Sequence, residues 1–179
     1  MSLALKRDDY TFEEWLEMDD NERIDLIDGS IYMRGEPSTR HQRVSRRLTL
    51  ALGIFLEGKT CELFYDPFMV KLNEETVVHP DIAVICDSNK LNDHGCVGAP
   101  DLIIEILSPS NAGHDLFTKY NQYLLAGVKE YWIVDPIKNS IAVYILQNGE
   151  YDATFYLKKD ILPVSVLPGC EIILKNIFS

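Results

Sequence analysis

The chain has 179 residues, of which 46% are hydrophobic and 25% charged, as in an ordinary globular protein and unlike a disordered one. Its 17 basic and 28 acidic residues give a net charge of −11, which argues against broad nonspecific attraction to nucleic acid. No apolar run approaches the roughly 20 residues that cross a bilayer, and the first residues do not form a secretory signal. We therefore expect a cytoplasmic protein with one domain over residues 1–179.

The four cysteines are widely spaced, without a C-x-x-C pair or the paired spacing of a zinc site. Because the chain shows no export signal, we expect no disulfide. Cys86 closes an apolar run and is expected in the core. The sequence thus gives the cysteines no chemical role.

The first third of the chain predicts a short helix, a hairpin, a long helix and two strands. Residues 11–14 form a capping-box pattern, and Gly29-Ser30 separates two short predicted strands, 23–28 and 31–33. The best helix of the chain runs from Thr39 to Leu56, with an apolar stripe at helical spacing. Two short strands are predicted at 62–65 and 68–72.

The remainder alternates between strands and one helix. Strands are predicted at 81–86, 102–107 and 131–134, with a helix at 112–125 before the last of them. The tail reads as antiparallel pairs, 141–146 with 151–157 and 163–166 with 171–174. The sum is an α/β fold, a mixed central sheet flanked by helices with extra antiparallel strands at both ends.

Glu105 is the sharpest chemical signal, because it stands in the otherwise apolar strand 102–107. A buried, unpaired carboxylate there would cost several kcal/mol, so either a structural partner or a functional site must retain it. Asp81 and Asp101 both follow a proline and open an apolar strand. Asp101 lies roughly 13 Å along the same strand, too far to share an ion with Glu105, so we assign it to a turn. Asp81 reaches Glu105 if the two strands are neighbours.

Two carboxylates about 4 Å apart repel by about 4 kcal/mol at an effective dielectric near 20, unless they share a proton or a cation. A site made only of oxygen ligands favours Mg²⁺ or Mn²⁺. Such an ion can polarise a phosphoryl oxygen and supply a hydroxide, which is the chemistry that phosphodiester hydrolysis needs.

Three helical residues supply further candidates. Lys119 has Asp115 and Tyr123 at i−4 and i+4 on one helix face, and its ammonium could orient water or steady phosphate charge. An exposed lysine bridged to Asp115, and a Tyr123 that merely packs, remain alternatives. His41 falls inside the apolar stripe of its helix, where it could be a metal ligand, a water-orienting group, a phosphate contact or a satisfied, partly buried histidine.

Charge is distributed unevenly along the chain. Residues 37–56 contain no acid and four of the seven arginines, at positions 40, 43, 46 and 47. This cluster is either a phosphate-binding patch or a solvated helix face.

Taken together, several segments resemble a family of proposed restriction endonucleases, once classed as a domain of unknown function, within the PD-(D/E)XK nuclease superfamily. They are His79-Pro-Asp-Ile-Ala-Val-Ile85, the run 99–110, Asp115-x-x-x-Lys119-x-x-x-Tyr123, Gly127–Pro136, Leu26–Gly29 with His41, and Leu167-Pro-Gly169. The resemblance spans nearly the whole chain. It implies a restriction-endonuclease-like core, with metal on Asp81, Glu105 and the backbone carbonyl of Ile106.

The chain departs from the superfamily pattern at two places. Leu107 stands where a lysine would follow Glu105 by two residues, so the resemblance makes Lys119, on the next helix, its substitute. The first helix of the superfamily usually carries an acid, whereas the helix 39–56 offers His41 and no carboxylate.

The leading hypothesis is a Mg²⁺-dependent (or Mn²⁺-dependent) DNA endonuclease. Asp81 and Glu105 would bind metal, Lys119 would act on water, and His41, Asp115 and Tyr123 would support them. Arg40, Arg43 and Arg47 would hold phosphates. The alternatives are a catalytically silent binding module of the same fold and a phosphoesterase on a small substrate. A homodimer would set two sites against two strands, and no membrane association is expected.

Overall fold

The computed structural model describes residues 9–18, 24–108 and 114–179. Its helices and strands follow one another in the order α1 (Phe12–Met18), β1 (Ile24–Ile27), β2 (Ser30–Met33), α2 (Thr39–Leu56), β3 (Glu62–Tyr65), β4 (Met69–Asn73), β5 (Thr76–Val78), β6 (Ile82–Ile85), β7 (Leu91–Asn92), β8 (Gly95–Val97), β9 (Leu102–Ile106), α3 (His114–Ala126), β10 (Glu130–Asp135), β11 (Ser140–Gln147), β12 (Glu150–Leu157), β13 (Ile161–Pro163), β14 (Glu171–Ile173) and α4 (Leu174–Ile177).

The strands form two six-stranded mixed sheets and one small sheet. The first sheet has the order β2-β1-β5-β4-β8-β7, the second β12-β11-β10-β9-β6-β3, and β13 pairs with β14. In the second sheet β9 runs antiparallel to β6 and parallel to β10, with α3 as the connection between β9 and β10. The predicted mixed α/β fold is confirmed.

The two faces of β9 are buried against different layers. One face, with Leu102, Ile104 and Ile106, packs in the cluster that holds the apolar stripe of α2 and the C-terminal segment. The opposite face packs with the first sheet and with Tyr123 of α3, through Ile103. A strand covered on both sides needs a continuous apolar run, which is the pattern that predicted it.

Several elements lie where local sequence patterns predicted them. Helix α2 spans the predicted residues, and the Ser38 side chain caps it by accepting a hydrogen bond from the His41 N–H at 3.2 Å. The capping box opens α1, because the Thr11 hydroxyl accepts from the Glu14 N–H and the Glu14 carboxylate from the Thr11 N–H. The predicted hairpin is present as β1 and β2, but its turn is Asp28-Gly29 and not Gly29-Ser30, because Ser30 already pairs with Ile27. Both turn residues have positive φ, as a two-residue hairpin turn of this kind requires.

The last antiparallel pair lies earlier than predicted, at 161–163 with 171–173, because Ile173 is already the N-cap of the short helix α4. No described helix is both long and apolar enough to span a membrane.

The expectation that the chain has no disulfide is wrong, since Cys61 is bonded to Cys86. Glu62 pairs with Ile85 in the antiparallel register of β3 and β6, so one step outward sets the two cysteines opposite each other. Both cysteines are partly buried and pack against the margin of the core. Cys96 and Cys170 are free and buried.

This bond predicts a simple labelling result. Protein unfolded without reductant should take up two equivalents of iodoacetamide, at Cys96 and Cys170, and four after reduction, as read from intact mass. The bond joins residues that are 25 positions apart. Because a crosslink of this span restricts the unfolded chain, reduction should lower the free energy of unfolding by about 3 kcal/mol. Four labels without reductant would contradict the bond.

Asp101 has a structural place, as the sequence predicted. Its carboxylate accepts from the Cys86 N–H at 2.7 Å and lies 2.6 Å from the Lys129 ammonium. Burial by itself would raise the pKa of Asp101, but the hydrogen bonds from Lys129 and Cys86 outweigh it and hold the pKa below its ordinary value. Its stabilisation is therefore present above the pKa of the unfolded chain and is lost as pH falls through the lower, folded value.

We accordingly predict that Asp101→Asn lowers the free energy of unfolding by about 1–2 kcal/mol at pH 7. The difference from wild type should shrink as pH falls below about 4, where aspartate in the unfolded chain becomes protonated, and should vanish only below the lower pKa of the folded protein. Urea unfolding at pH 7, 5 and 3 measures it, with the exposed Asp93→Asn as the control. A difference that stays constant with pH would contradict the assignment.

Candidate active site

Three carboxylates lie at the junction of the two large sheets. Asp25 is on β1, Asp81 directly precedes β6, and Glu105 is on β9; their exposed fractions are 1%, 7% and 6%. Ile82 pairs with Ile104 in the antiparallel register of β6 and β9, so one further step sets Asp81 opposite Glu105. Cβ atoms of directly opposite residues are about 4.5–5.5 Å apart. The two strands are neighbours in the sheet, as predicted, and their pairing sets Asp81 beside Glu105.

Helix α3 brings two side chains to a single oxygen of Glu105. The Lys119 Nζ lies 3.2 Å from Glu105 Oε1, and the Tyr123 hydroxyl donates to the same atom at 2.7 Å. Their i, i+4 spacing sets both on one face of the helix. Lys119 is buried, so its reading as an exposed surface lysine is wrong, and Tyr123 is both packed and hydrogen-bonded.

Asp81 is held from two sides. Its Oδ2 accepts from the Ile106 N–H at 2.7 Å, and its Oδ1 lies 3.0 Å from His41 Nε2. His41 is on the first turn of α2, where the Ser38 cap fixes its backbone. Its other ring nitrogen, Nδ1, has no hydrogen-bond partner among the described residues. The contact with Asp81 fixes the orientation of the His41 ring.

Asp25 completes the cluster and is a residue that sequence reasoning missed. The Lys119 Nζ lies 2.9 Å from Asp25 Oδ2, closer than it lies to Glu105. Asp25 Oδ1 accepts from the His79 N–H at 2.9 Å and lies 3.1 Å from His79 Nδ1. The Arg34 Nε lies 3.9 Å from the same oxygen, and its Nη1 lies 2.6 Å from Asp66.

The pKa values of Asp25 and Glu105 move in opposite directions. Burial alone would raise the pKa of Asp25, but Lys119, His79 and Arg34 together hold it well below its ordinary value. Burial raises the pKa of Glu105 well above its ordinary value; Lys119 opposes this rise, and the Asp81 and Asp25 carboxylates add to it. Charged and hydrogen-bonding partners therefore outweigh burial at Asp25, whereas burial outweighs the contact with Lys119 at Glu105.

A signal for Asp25 was present in the sequence. Like Glu105 it stands between apolar neighbours in a short strand, and all four residues of β1 are buried. His79 lies in an irregular segment between β5 and β6, and its partner Asp25 is 54 positions earlier, so no local pattern indicates its role. Arg34 follows β2 in an irregular segment, and no local pattern distinguishes it.

The other predicted residues are placed as follows. Arg40, Arg43 and Arg47 line a pocket of about 400 Å³ beside the turn after β10. Arg47 is committed in part to the fold, since its guanidinium donates to the Ile177 carbonyl at 3.0 Å and also to the carbonyl of Ser179. Asp115 is in α3, but its side chain lies outside the described part of the structure.

Comparisons with known proteins identify the family and the fold. A family model described as "Putative restriction endonuclease" (Uma2) matches residues 9–175. The chain belongs to this family. The resemblance seen in the sequence is thereby confirmed.

The relatives and a solved structure extend the comparison. The uncharacterized protein slr1290 of Synechocystis is 30% identical over 62% of this chain, a match that spans 60% of its own length. A second Synechocystis protein, sll1609, is 29% identical over 70% of this chain and 74% of its own. The crystal structure of "a putative nuclease belonging to DUF820" from Anabaena variabilis superposes with a TM-score of 0.80 at 21% identity, covering 94% of this chain and 97% of that one. At that identity the likeness concerns the fold.

The contacts of Asp25 predict a stability effect. Asp25→Asn removes the carboxylate that Lys119, His79 and Arg34 share, and should lower the free energy of unfolding by about 3 kcal/mol, as for breaking a buried ion pair. Urea unfolding measures the loss. The control is Asp28→Asn at the exposed hairpin turn, where φ is 52° and asparagine is well tolerated, so a change within about 0.5 kcal/mol is expected. Equal losses in the two variants would refute the role of Asp25.

Proposed function

We propose that the protein is a divalent-metal-dependent endonuclease that hydrolyses phosphodiester bonds in DNA. The observation that carries the proposal is the Asp81–Glu105 pair, set opposite each other on β6 and β9 with the Lys119 ammonium on Glu105. Membership of the Uma2 family supports the endonuclease part of the proposal, since the family model is described as "Putative restriction endonuclease".

The donor set fits a hard divalent cation. Burial raises the pKa of Glu105 and the neighbouring Asp81 carboxylate adds to the rise, so a cation at these oxygens would favour the ionised form of both groups. The described residues contain no group of three or more His, Cys, Asp or Glu side chains arranged as a metal site. Two carboxylates, with the Ile106 carbonyl that the family resemblance implies, would leave positions for water and substrate oxygens, as Mg²⁺ and Mn²⁺ prefer.

When bound, such an ion would polarise a phosphoryl oxygen and acidify a coordinated water. Lys119 is positioned between Asp25 and Glu105 as a hydrogen-bond donor, so we assign it to orienting the attacking water or to steadying charge on the phosphate. Tyr123 and His41 hold the two carboxylates in place. Asp25 holds Lys119 and is therefore a positioning residue.

Binding of the flanking strand is assigned to the arginines of α2. Arg40 and Arg43 are exposed and line the pocket beside the turn after β10, and both lie within two positions of His41, whose ring contacts Asp81. These arginines form a local cluster of positive charge on a chain whose net charge is −11. A nucleic acid is therefore attracted to this face more than to the rest of the surface. Because Arg47 also donates to the C-terminal segment, its loss should affect folding as well as binding.

The test is nicking of supercoiled plasmid with Mg²⁺ or Mn²⁺. Wild type should nick the plasmid. The nicking rate of Glu105→Gln and of Asp81→Asn should be lower by at least about 100-fold, as for loss of a group that acts in the transition state. Glu130→Gln is the matched control, because Glu130 is also a buried strand carboxylate but binds Trp132 and the Val166 N–H instead.

The outcomes separate the candidate functions. Nicking that survives Glu105→Gln would sink the assignment of the site. No nicking by folded protein that binds Mn²⁺ and cleaves a chromogenic phosphodiester would favour a small phosphoester substrate. No nicking and no Mn²⁺ binding would favour a silent binding module.

A further inference from the structure

The outward face of α2 exposes an apolar patch. Leu50 is 51% exposed and Ile54 73%, one helical turn apart. A groove of about 520 Å³ lies beside them, between α2 and β3, the edge strand of the second sheet. The buried stripe of α2, which includes His41, is on the opposite side of the helix. The patch is therefore separate from the carboxylate cluster.

Gly53 lines the same groove, and nothing within the single chain requires a glycine there. It lies in the interior of the helix and does not have the positive φ that would favour glycine. Apart from its own helix, a Cβ atom at this position would have no described atom within 4 Å. After proline, glycine is the least favourable residue inside a helix. What this glycine permits is the close approach of a second backbone to the exposed side of α2.

Opposite charges stand at the two ends of the patch. Arg46 precedes the apolar pair and Glu57 follows it, and both are exposed. At 3.6 residues per turn, positions 46, 50, 53, 54 and 57 fall within about 100° of the helix circumference, so they share one face. Arg46 is the arginine of α2 to which the proposed function assigns no DNA contact.

We propose that this face pairs with the same face of a second copy of the chain, with the two α2 helices antiparallel. A two-fold axis midway between Leu50 and Ile54 sets Leu50 opposite the partner's Ile54, and Gly53 lets the two backbones approach. Arg46 lies about 9 Å to one side of this axis and Glu57 about 7.5 Å to the other, at 1.5 Å per residue. Arg46 is then beside the partner's Glu57. The face is thus self-complementary, as a two-fold interface must be.

The charges select both the partner and its direction. A parallel pair of α2 helices would set arginine against arginine and glutamate against glutamate, whereas the antiparallel pair forms two contacts of opposite charge. The antiparallel direction also opposes the two helix dipoles. One helix and one strand edge from each subunit form a small interface, so we expect a weak, reversible dimer that is best measured at micromolar concentrations.

Sedimentation equilibrium of the full chain over a micromolar concentration series tests the proposal. Wild type should approach twice the chain mass of 20.5 kDa. Ile54→Glu should raise the dissociation constant at least about tenfold, because it sets two unpaired carboxylates in the apolar contact. Gly53→Gln should do the same by filling the groove, while its melting temperature, followed by circular dichroism, stays equal to that of wild type or rises. Phe155→Glu is the control, at a position 71% exposed on β12, and should dimerise as wild type does.

Charge reversal tests the antiparallel direction. Arg46→Glu and Glu57→Arg each set like charges opposite each other twice, so each should raise the dissociation constant by about tenfold. The double variant exchanges the two signs and restores the attraction. Its dissociation constant should return to within about threefold of the wild-type value.

A wild type that stays monomeric over the whole series overturns the proposal, and so does a dimer that persists in both Ile54→Glu and Gly53→Gln. A dimer that Phe155→Glu dissociates would place the interface at β12 and also overturn it. A double variant no better than the single ones would refute the antiparallel pairing. The inference is independent of the proposed function, since none of these variants changes a residue assigned to the carboxylate cluster or to DNA binding.

Discussion

The contact of one ammonium with two carboxylates joins the parts of this protein that form its site. Lys119 comes from α3, Asp25 from the first sheet and Glu105 from the second. Each of these groups is buried, and a buried charge deprived of its partner costs several kcal/mol. The charge arrangement therefore forms only when both sheets and α3 are packed together, and the same contacts that serve the site also stabilise the packing.

The residues that the sequence revealed are those whose local context is anomalous. Glu105 interrupts an apolar strand, Asp81 opens one, and the i, i+4 spacing sets Lys119 and Tyr123 on one helix face. Asp25 was missed because a four-residue strand in a hairpin normally has one solvated face, and alternation assigns Asp25 to it. Both faces of β1 are in fact buried, a tertiary effect that the hairpin sequence does not contain.

The strands missed by sequence reasoning are short and owe their form to their partners. β7 has two residues and β8 three, too few for any periodicity. At Gly95, φ is +152°, and a Cβ atom there would collide with the Met69 carbonyl oxygen. Close approach to β4 thus requires this glycine. The Cys61–Cys86 bond likewise follows from the register of β3 and β6, which spacing along the chain does not reveal.

The position of the lysine changes what the site depends on. In the superfamily pattern a lysine two residues after Glu105 would be fixed by the strand itself, whereas here Leu107 stands at that position and donates its N–H to the Val134 carbonyl. Lys119 reaches Glu105 from α3 only while the helix keeps its rotation. Tyr123, one turn further on, bonds the same carboxylate oxygen, and Asp25 draws the ammonium from the other side. These two contacts hold α3 in place against Glu105. A lysine within the strand would be positioned by the strand backbone, whereas Lys119 is positioned by tertiary packing.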